Sequence, residues 1–328
     1  MIRKTYWGIA GTGIANSFVK GLKLVENAEI VAVASIRKQD ADKFGQSHNI
    51  PITYGNFKEL AENPKIDVVY VAVPHVFHMD LAMMFLQAGK AVLCEKPLTV
   101  NAEQAVRLIS CAREKKIFLM EAMWTRFFPL IRKLGEWIDS GVLGEVKVVK
   151  AEFGFCADRN PEGRLLNPNL AGGSLLDVGI YPLEFSSLVF KTEPNQILSL
   201  MDIGETGVDR QCGMLLGYEK GQMALLASSI CSQFPDNAYI YGTNGYIHIP
   251  NYWHPNSAAI YLNEKEPTYH EFRTEGNGYN FEAEEVMRCL MEGEHESRIM
   301  PLDESLSVVK TMDKIRKQSG LKYPFEKW

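Results

Sequence analysis

Short apolar runs at residues 6–10, 30–34, 68–73, 91–94 and 118–120 are separated by segments whose apolar positions recur at helical spacing. The run Val68-Val69-Tyr70-Val71-Ala72-Val73 is apolar without alternation, which is the pattern of a strand covered on both faces. Strands and helices in this alternation predict an α/β fold with a parallel, doubly wound sheet of Rossmann type over residues 1–122. The helix after Thr99 is well marked. Asn101 suits its N-cap, Glu103 and Gln104 its first turn, and Ala105, Leu108, Ile109 and Ala112 its buried face.

Beyond residue 122 the rhythm changes. An amphipathic helix over 130–139 and a turn at Ser140-Gly141 lead into strand-like runs such as 146–155, 223–230 and 239–242, with a glycine turn at Thr243-Asn244-Gly245. Helical spacing returns at 177–190, 281–291 and 303–317. The pattern predicts a second domain over 123–328, α+β, built on a large, mainly antiparallel open sheet. Alternating apolar positions, Met214, Leu216 and Tyr218 or Met223, Leu225 and Ala227, require burial on both sides of that sheet. So few helices leave one face open, and a second copy of the chain, paired about a two-fold axis, is its simplest cover.

At 328 residues the chain exceeds the size at which one core usually keeps growing, which agrees with two domains. Hydrophobic residues make up 46% and charged residues 23%, the balance of an ordinary globular protein. The formal net charge of -5 provides no basic field for nucleic acid. The six cysteines show no metal-ligand spacing and read as reduced thiols, so no metal is expected. No stretch approaches a membrane span, and the N-terminus lacks the features of a signal peptide, which places the protein in the cytoplasm.

The first strand runs into Gly8-Ile9-Ala10-Gly11-Thr12-Gly13-Ile14-Ala15-Asn16, with a helix beginning near Ser17. A glycine turn between strand and helix lets backbone N–H groups approach a pyrophosphate, so Gly11, Thr12, Gly13, Ile14 and Ala15 are candidate cofactor contacts. Asn16 stands where the pattern has its third glycine, and the small residue, Ala15, comes one place early. A tight turn without a ligand is the other reading. The second strand ends in Ser35-Ile36-Arg37-Lys38 with no acid until Asp40; Ser35, Arg37 and Lys38 lean toward NADP over NAD, unless the two cations are merely solvated loop charges. Glu95-Lys96-Pro97 follows the fourth strand at the edge where such sheets bind ligands. A lysine cation there lowers the pKa of a nearby phenol from about 10 and makes it a usable acid or base. A surface turn is the alternative.

These pieces together resemble the glucose-fructose oxidoreductase and inositol dehydrogenase (Gfo/Idh/MocA) superfamily. The resemblance is carried by Gly11-Thr12-Gly13, Val73-Pro74-His75 with His78, Glu95-Lys96-Pro97, and Gly172-Gly173-Ser174-Leu175-Leu176-Asp177-Val178-Gly179-Ile180-Tyr181. Glu121-Ala122-Met123-Trp124-Thr125-Arg126 is similar to the branch with dimeric dihydrodiol dehydrogenase and NADP-dependent D-xylose dehydrogenase. The resemblance implies homodimers, an NAD(P) cofactor, and catalytic roles for Lys96, Asp177 and Tyr181, with Tyr181 at the proton-transfer position. It also implies that Pro74, His75, His78 and Glu95 lie at the cofactor, with Trp124 and Arg126 beside cofactor and substrate. Ile36 departs from the branch, which usually has a cofactor-reading arginine there.

The expected activity is hydride transfer between nicotinamide and a hydroxyl or carbonyl carbon of a sugar, cyclic polyol or diol. Phe153, Phe155, Arg159, Arg164 and Asn167 are candidates for the substrate side. A non-catalytic dinucleotide-binding sensor of the same fold is the competing class, and redox-neutral hydrolysis or epimerisation through transient oxidation is a third reading.

Overall fold

In the computed structural model, which describes residues 4–158 and 160–326, the continuous apolar runs become strands buried on both faces. The first sheet has six strands: β1 (Thr5–Ala10), β2 (Ala28–Ala34), β3 (Ile52–Tyr54), β4 (Val68–Val71), β5 (Ala91–Glu95) and β6 (Leu119–Ala122). They lie in the order β3-β2-β1-β4-β5-β6, every neighbouring pair parallel. Val68, Val69, Tyr70 and Val71 are each 0% exposed, so β4 is covered from both sides as its unbroken hydrophobicity requires. Helices α1 (Ala15–Leu22), α2 (Lys38–His48), α3 (Phe57–Glu62), α4 (His78–Gln87) and α5 (Ala102–Lys115) join the strands. Asn101 caps α5 by accepting the Gln104 N–H at 3.0 Å, and Ala105, Leu108, Ile109 and Ala112 are all buried. Helix α1 starts at Ala15, two residues before the expected Ser17.

The second sheet has eight strands after α6 (Pro129–Asp139): β7 (Val146–Gly154), then, past α7 (Ile180–Phe190), β8 (Gln196–Ile203), β9 (Asp209–Gly217), β10 (Met223–Ser229), β11 (Ala238–Gly242), β12 (Gly245–Ile249), β13 (Ser257–Leu262) and β14 (Thr268–Glu271). Their order is β14-β13-β12-β11-β7-β10-β9-β8; β7 and β10 run parallel and the other neighbours antiparallel. The two apolar rows face opposite ways. Met214, Leu216 and Tyr218 are buried, whereas Met223 and Leu225 are 45% exposed and Leu198 and Leu200 on β8 are 67% and 84% exposed. Helix α7 packs on β7 and β10 and covers the buried side. Its sequence is apolar all round, and eight of its residues, Tyr181 among them, are buried.

Helix α8 (Tyr279–Glu292) returns to the first sheet, and α9 (Leu302–Ser319) closes the chain. The chain therefore divides as Met1–Phe127 with Glu275–Leu306, and Phe128–Thr274 with Ser307–Trp328, instead of at one cut after residue 122. The reason lies on α1. Its Phe18 stacks on Tyr70 at 3.7 Å and meets Tyr279 edge-on at 6.3 Å, while the Asn277 amide donates to the Ser17 carbonyl at 2.8 Å. A Cβ on Gly21 would come within 2.9 Å of Asn280 N, so a glycine lets the start of α8 pass. Periodicity marks a buried face but not the distant segment that buries it.

Candidate active site

The turn between β1 and α1 needs one of its glycines for shape and leaves the other in open space. Gly11 has φ +100°, and a Cβ there would lie 2.2 Å from the Ala72 carbonyl oxygen. A Cβ on Gly13 would meet nothing within 4 Å. Ile14 is the N-cap of α1 and no side chain of the cap residue closes that end, where the Ser17 N–H donates to the Ile14 carbonyl at 3.1 Å. Ala15 is 0% exposed, so the small residue that packs helix against sheet is present one place early. The turn fits a pyrophosphate. At the end of β2, Arg37 is an exposed cation joined to Asp40 at 2.6 Å, and Lys38 is held by Asp42 and by the Thr53 hydroxyl at 2.7 Å, close to the half-buried Ser35.

Lys96 follows β5 in a tightly fixed turn and is half-buried. Its N–H donates to Glu95 Oε2 at 3.2 Å, and Glu95 Oε1 accepts the Tyr70 hydroxyl. The Lys96–Pro97 bond is cis, and beyond it the Leu98 N–H donates to Glu121 Oε1 at 2.8 Å. His78 is 0% exposed, with Nδ1 2.7 Å from the Pro97 carbonyl and Nε2 2.9 Å from the Val73 carbonyl. It ties the Val73-Pro74-His75 segment to the Lys96 turn. Pro74 opens the short 3₁₀ turn His75–Phe77, and the His75 ring meets His78 at 5.6 Å. Burial first, and then the Lys96 cation, lower the His78 imidazole from its ordinary pKa of 6.5, opposed by its bonds to the Pro97 and Val73 carbonyls.

Trp124 and Arg126 sit in the 3₁₀ turn Trp124–Phe127. Trp124 stacks on Tyr279 at 4.5 Å. Arg126 is buried and forks onto Glu304 at 3.0 and 2.5 Å, with a further bond to the Ile299 carbonyl at 3.1 Å. Its guanidinium thus anchors the 299–304 segment, a packing task the motif alone does not reveal.

In the second unit, Gly173 has φ +119° and is followed by a π-helical turn, Leu175–Gly179, that runs straight into α7. Asp209, fully buried, accepts the Leu175 N–H at 2.7 Å and holds the start of that turn. Asp177 projects from the turn and pairs with Arg164 at 2.7 Å, joining two of the expected residues. Tyr181, 7% exposed, meets Phe153 edge-on at 5.1 Å, and Phe153 stacks on Trp253 at 5.1 Å. The Trp253 N–H donates to Asp236 at 3.1 Å, which fixes the indole. Phe155 lies 6.4 Å from Phe153, whereas Asn167 is occupied in a local turn with Asn169. Arg159 lies outside the described residues.

Family comparisons agree with this layout. The oxidoreductase family with an NAD-binding Rossmann fold, Gfo/Idh/MocA, matches residues 6–123, and the C-terminal domain of the same family matches residues 131–248. The chain is 40% identical to trans-1,2-dihydrobenzene-1,2-diol dehydrogenase of Xenopus tropicalis, covering 98% of this chain and 99% of the relative. The chain belongs to the Gfo/Idh/MocA oxidoreductases. Identity to the human dihydrodiol dehydrogenase is 37%, over 98% of each chain. Among solved structures, a 3-ketoreductase from Actinomadura kijaniata in complex with NADP and TDP-benzene superimposes with a TM-score of 0.87 at 25% identity, over 97% of this chain and 98% of that one. The aldose-aldose oxidoreductase from Caulobacter crescentus shares the fold, with a TM-score of 0.89 at 22% identity and the same coverage.

Two roles in this Gfo/Idh/MocA chain escape a reading of the sequence. Glu121, buried on β6, braces the turn after Lys96; the sequence marks the residue only as part of the stretch from Glu121 to Arg126, not this brace. Trp253 completes the aromatic wall beside Tyr181, and its signal is the aromatic triplet Tyr252-Trp253-His254. Among the described residues no three His, Cys, Asp or Glu side chains cluster to hold a metal, and no helix is long and apolar enough to cross a membrane.

Proposed function

We propose that this oxidoreductase is an NADP-preferring dehydrogenase of a ring-borne hydroxyl: a cyclic diol, polyol or sugar. The observation that carries the reading is the full-length identity of up to 40% with dihydrodiol dehydrogenases. The wall of Phe153, Tyr181 and Trp253 supports it, since a ring with hydroxyls offers an apolar face to aromatic side chains. The shaped glycine turn and the open space at Gly13 support a dinucleotide, and the exposed Arg37 cation supports the 2′-phosphate of NADP.

When bound, the nicotinamide supplies the hydride acceptor in oxidation and the donor in reduction. Tyr181 takes the hydroxyl proton in oxidation and returns it in reduction. The Lys96 ammonium favours the phenolate form of Tyr181, and Asp177, held by Arg164, orients the substrate end. Free thiols at all six cysteines fit a cytoplasmic setting. The open face of the second sheet, with Leu198, Leu200, Met223 and Leu225 exposed, supports a homodimer in which a second copy covers it.

The test is reduction of NADP, and separately of NAD, by a panel of cyclic diols and sugars, with wild type and Lys96→Met. We expect turnover with a ring diol, faster with NADP. In the variant, turnover falls by about a thousandfold with NADP affinity retained, the usual scale of a lost acid–base assistance. Near-normal turnover of Lys96→Met would remove the assigned roles.

A further inference from the structure

Beyond the strands β7 and β10, two exposed cysteines stand at opposite backbone positions. The chain leaving β10 turns back at Ser229, whose hydroxyl accepts the N–H groups of Cys231 at 3.1 Å and Ser232 at 2.9 Å. It then runs antiparallel beside the end of β7, with Ala157 N–H donating to the Ile230 carbonyl at 2.9 Å and Phe234 N–H to the Gly154 carbonyl at 3.0 Å. Cys156 and Cys231 are opposite partners in an isolated antiparallel bridge there. The Cys231 N–H is spent on Ser229 and the ladder bond comes from the next residue, Ala157, so this is the pair type that does not exchange backbone hydrogen bonds. Such pairs hold their Cα atoms about 4.5 Å apart with side chains on one face, inside the range of about 4.4–6.8 Å that disulfides span. The Cys156 thiol already donates to the Cys231 carbonyl at 3.5 Å, and the Cys231 sulfur lies against the Ser229 hydroxyl at 3.5 Å and Gln211 at 3.8 Å. Of the other four cysteines, Cys94, Cys212 and Cys289 are buried and Cys111 is partly so.

We propose that Cys156 and Cys231 form a reversible cross-strand disulfide, a redox modification site on the second sheet. With a disulfide oxidant such as oxidised glutathione, one cysteine thiolate attacks a glutathione sulfur, the S–S bond of the oxidant breaks, and reduced glutathione leaves. The second cysteine attacks the protein sulfur of the mixed disulfide and displaces the second glutathione. The two cysteines are oxidised, the oxidant is reduced to two thiols, and those thiols carry away the two protons. In a reducing compartment the pair rests as thiols, so the bond forms on oxidative challenge. It would close a loop over a sequence separation of 75 and tie down the segment that follows Phe153.

The full-length protein, reduced and then equilibrated with oxidised glutathione, is trapped with N-ethylmaleimide and mapped by mass spectrometry without reduction. We expect an intramolecular species two hydrogens lighter, a peptide linking the Cys156 and Cys231 segments, a raised thermal midpoint, and full reversal by dithiothreitol. In Cys156→Ser, Cys231 should retain a stable glutathione adduct because nothing resolves it. Separate glutathione adducts on both cysteines of the wild type with no linking peptide would overturn the proposal. A bond between two chains would overturn it equally. None of these readouts uses turnover, so the result stands apart from the assignment of the activity.

Discussion

At the scale of the single residue, the two glycines of the first turn do different work and can be separated. Gly11 sits at φ +100° under the Ala72 carbonyl, so Gly11→Ala combines backbone strain with a clash and should cost about 3 kcal/mol or more of stability. Gly13→Ala meets no protein atom and should change stability by less than about 0.5 kcal/mol. Its methyl group enters open space that the proposed function assigns to the pyrophosphate, so NADP binding should weaken by about tenfold, or about 1.4 kcal/mol. Denaturant unfolding and a cofactor titration on both variants check this, and a Gly13→Ala protein with unchanged affinity would place the dinucleotide elsewhere. Lys96, Asp177 and Tyr181 can be named as candidates from the sequence because each belongs to a short contiguous motif, and the Lys96→Met experiment tests their roles. The brace that Glu121 makes to Leu98, and Trp253 itself, are not legible, because Leu98 and Phe153 belong to other segments of the chain. His78 is legible as a residue but not as a clamp between two carbonyls.

At the scale of the element, the π-helical turn before α7 is the least regular piece of the fold and rests on Asp209. Burial raises the Asp209 carboxyl from the ordinary 3.8 to about 6, opposed by the N–H of Leu175 and by Arg316. Between those two pH values the folded protein keeps a proton that the unfolded chain has released. Stability from this group is therefore full below about pH 4 and is lost as pH rises through about 6, by about 3 kcal/mol at most. Asp209→Asn cannot titrate, so its stability relative to wild type should improve as pH rises from 4 to 7. Urea unfolding of both proteins across that range decides it; parallel curves would mean that the carboxyl is not perturbed. Uninterrupted apolar runs make β1, β2, β4, β5 and β6 readable from sequence. β3 was not, because Ile52-Thr53-Tyr54 is a half-buried edge strand of three residues with no periodicity to count. The π turn was equally hidden, since its spacing reads as ordinary helix until the wider winding is seen.

At the scale of the whole molecule, register turns the open sheet face into continuous rows. Leu198, Leu215 and Leu225 lie directly opposite one another across β8, β9 and β10, and Val148, Tyr241, Tyr246 and Tyr261 continue the row that starts at Met223. Light scattering during size-exclusion chromatography should give twice the chain mass of 37.0 kDa, and Leu225→Glu should shift the protein toward monomer with its fold intact by circular dichroism. A wild-type monomer at micromolar concentration would show that no second copy covers the face. The return of α8 to the first sheet carries a different consequence, one of timing. On the ribosome, the strands of the Rossmann half emerge early, yet the side of α1 that bears Phe18 and Gly21 waits for Asn277 and Tyr279, synthesised more than 250 residues later. The cofactor-binding half can therefore finish folding only after the whole eight-stranded sheet has been translated. A nascent chain cut short at the end of β6 would display an apolar groove to chaperones in place of a finished nucleotide-binding domain.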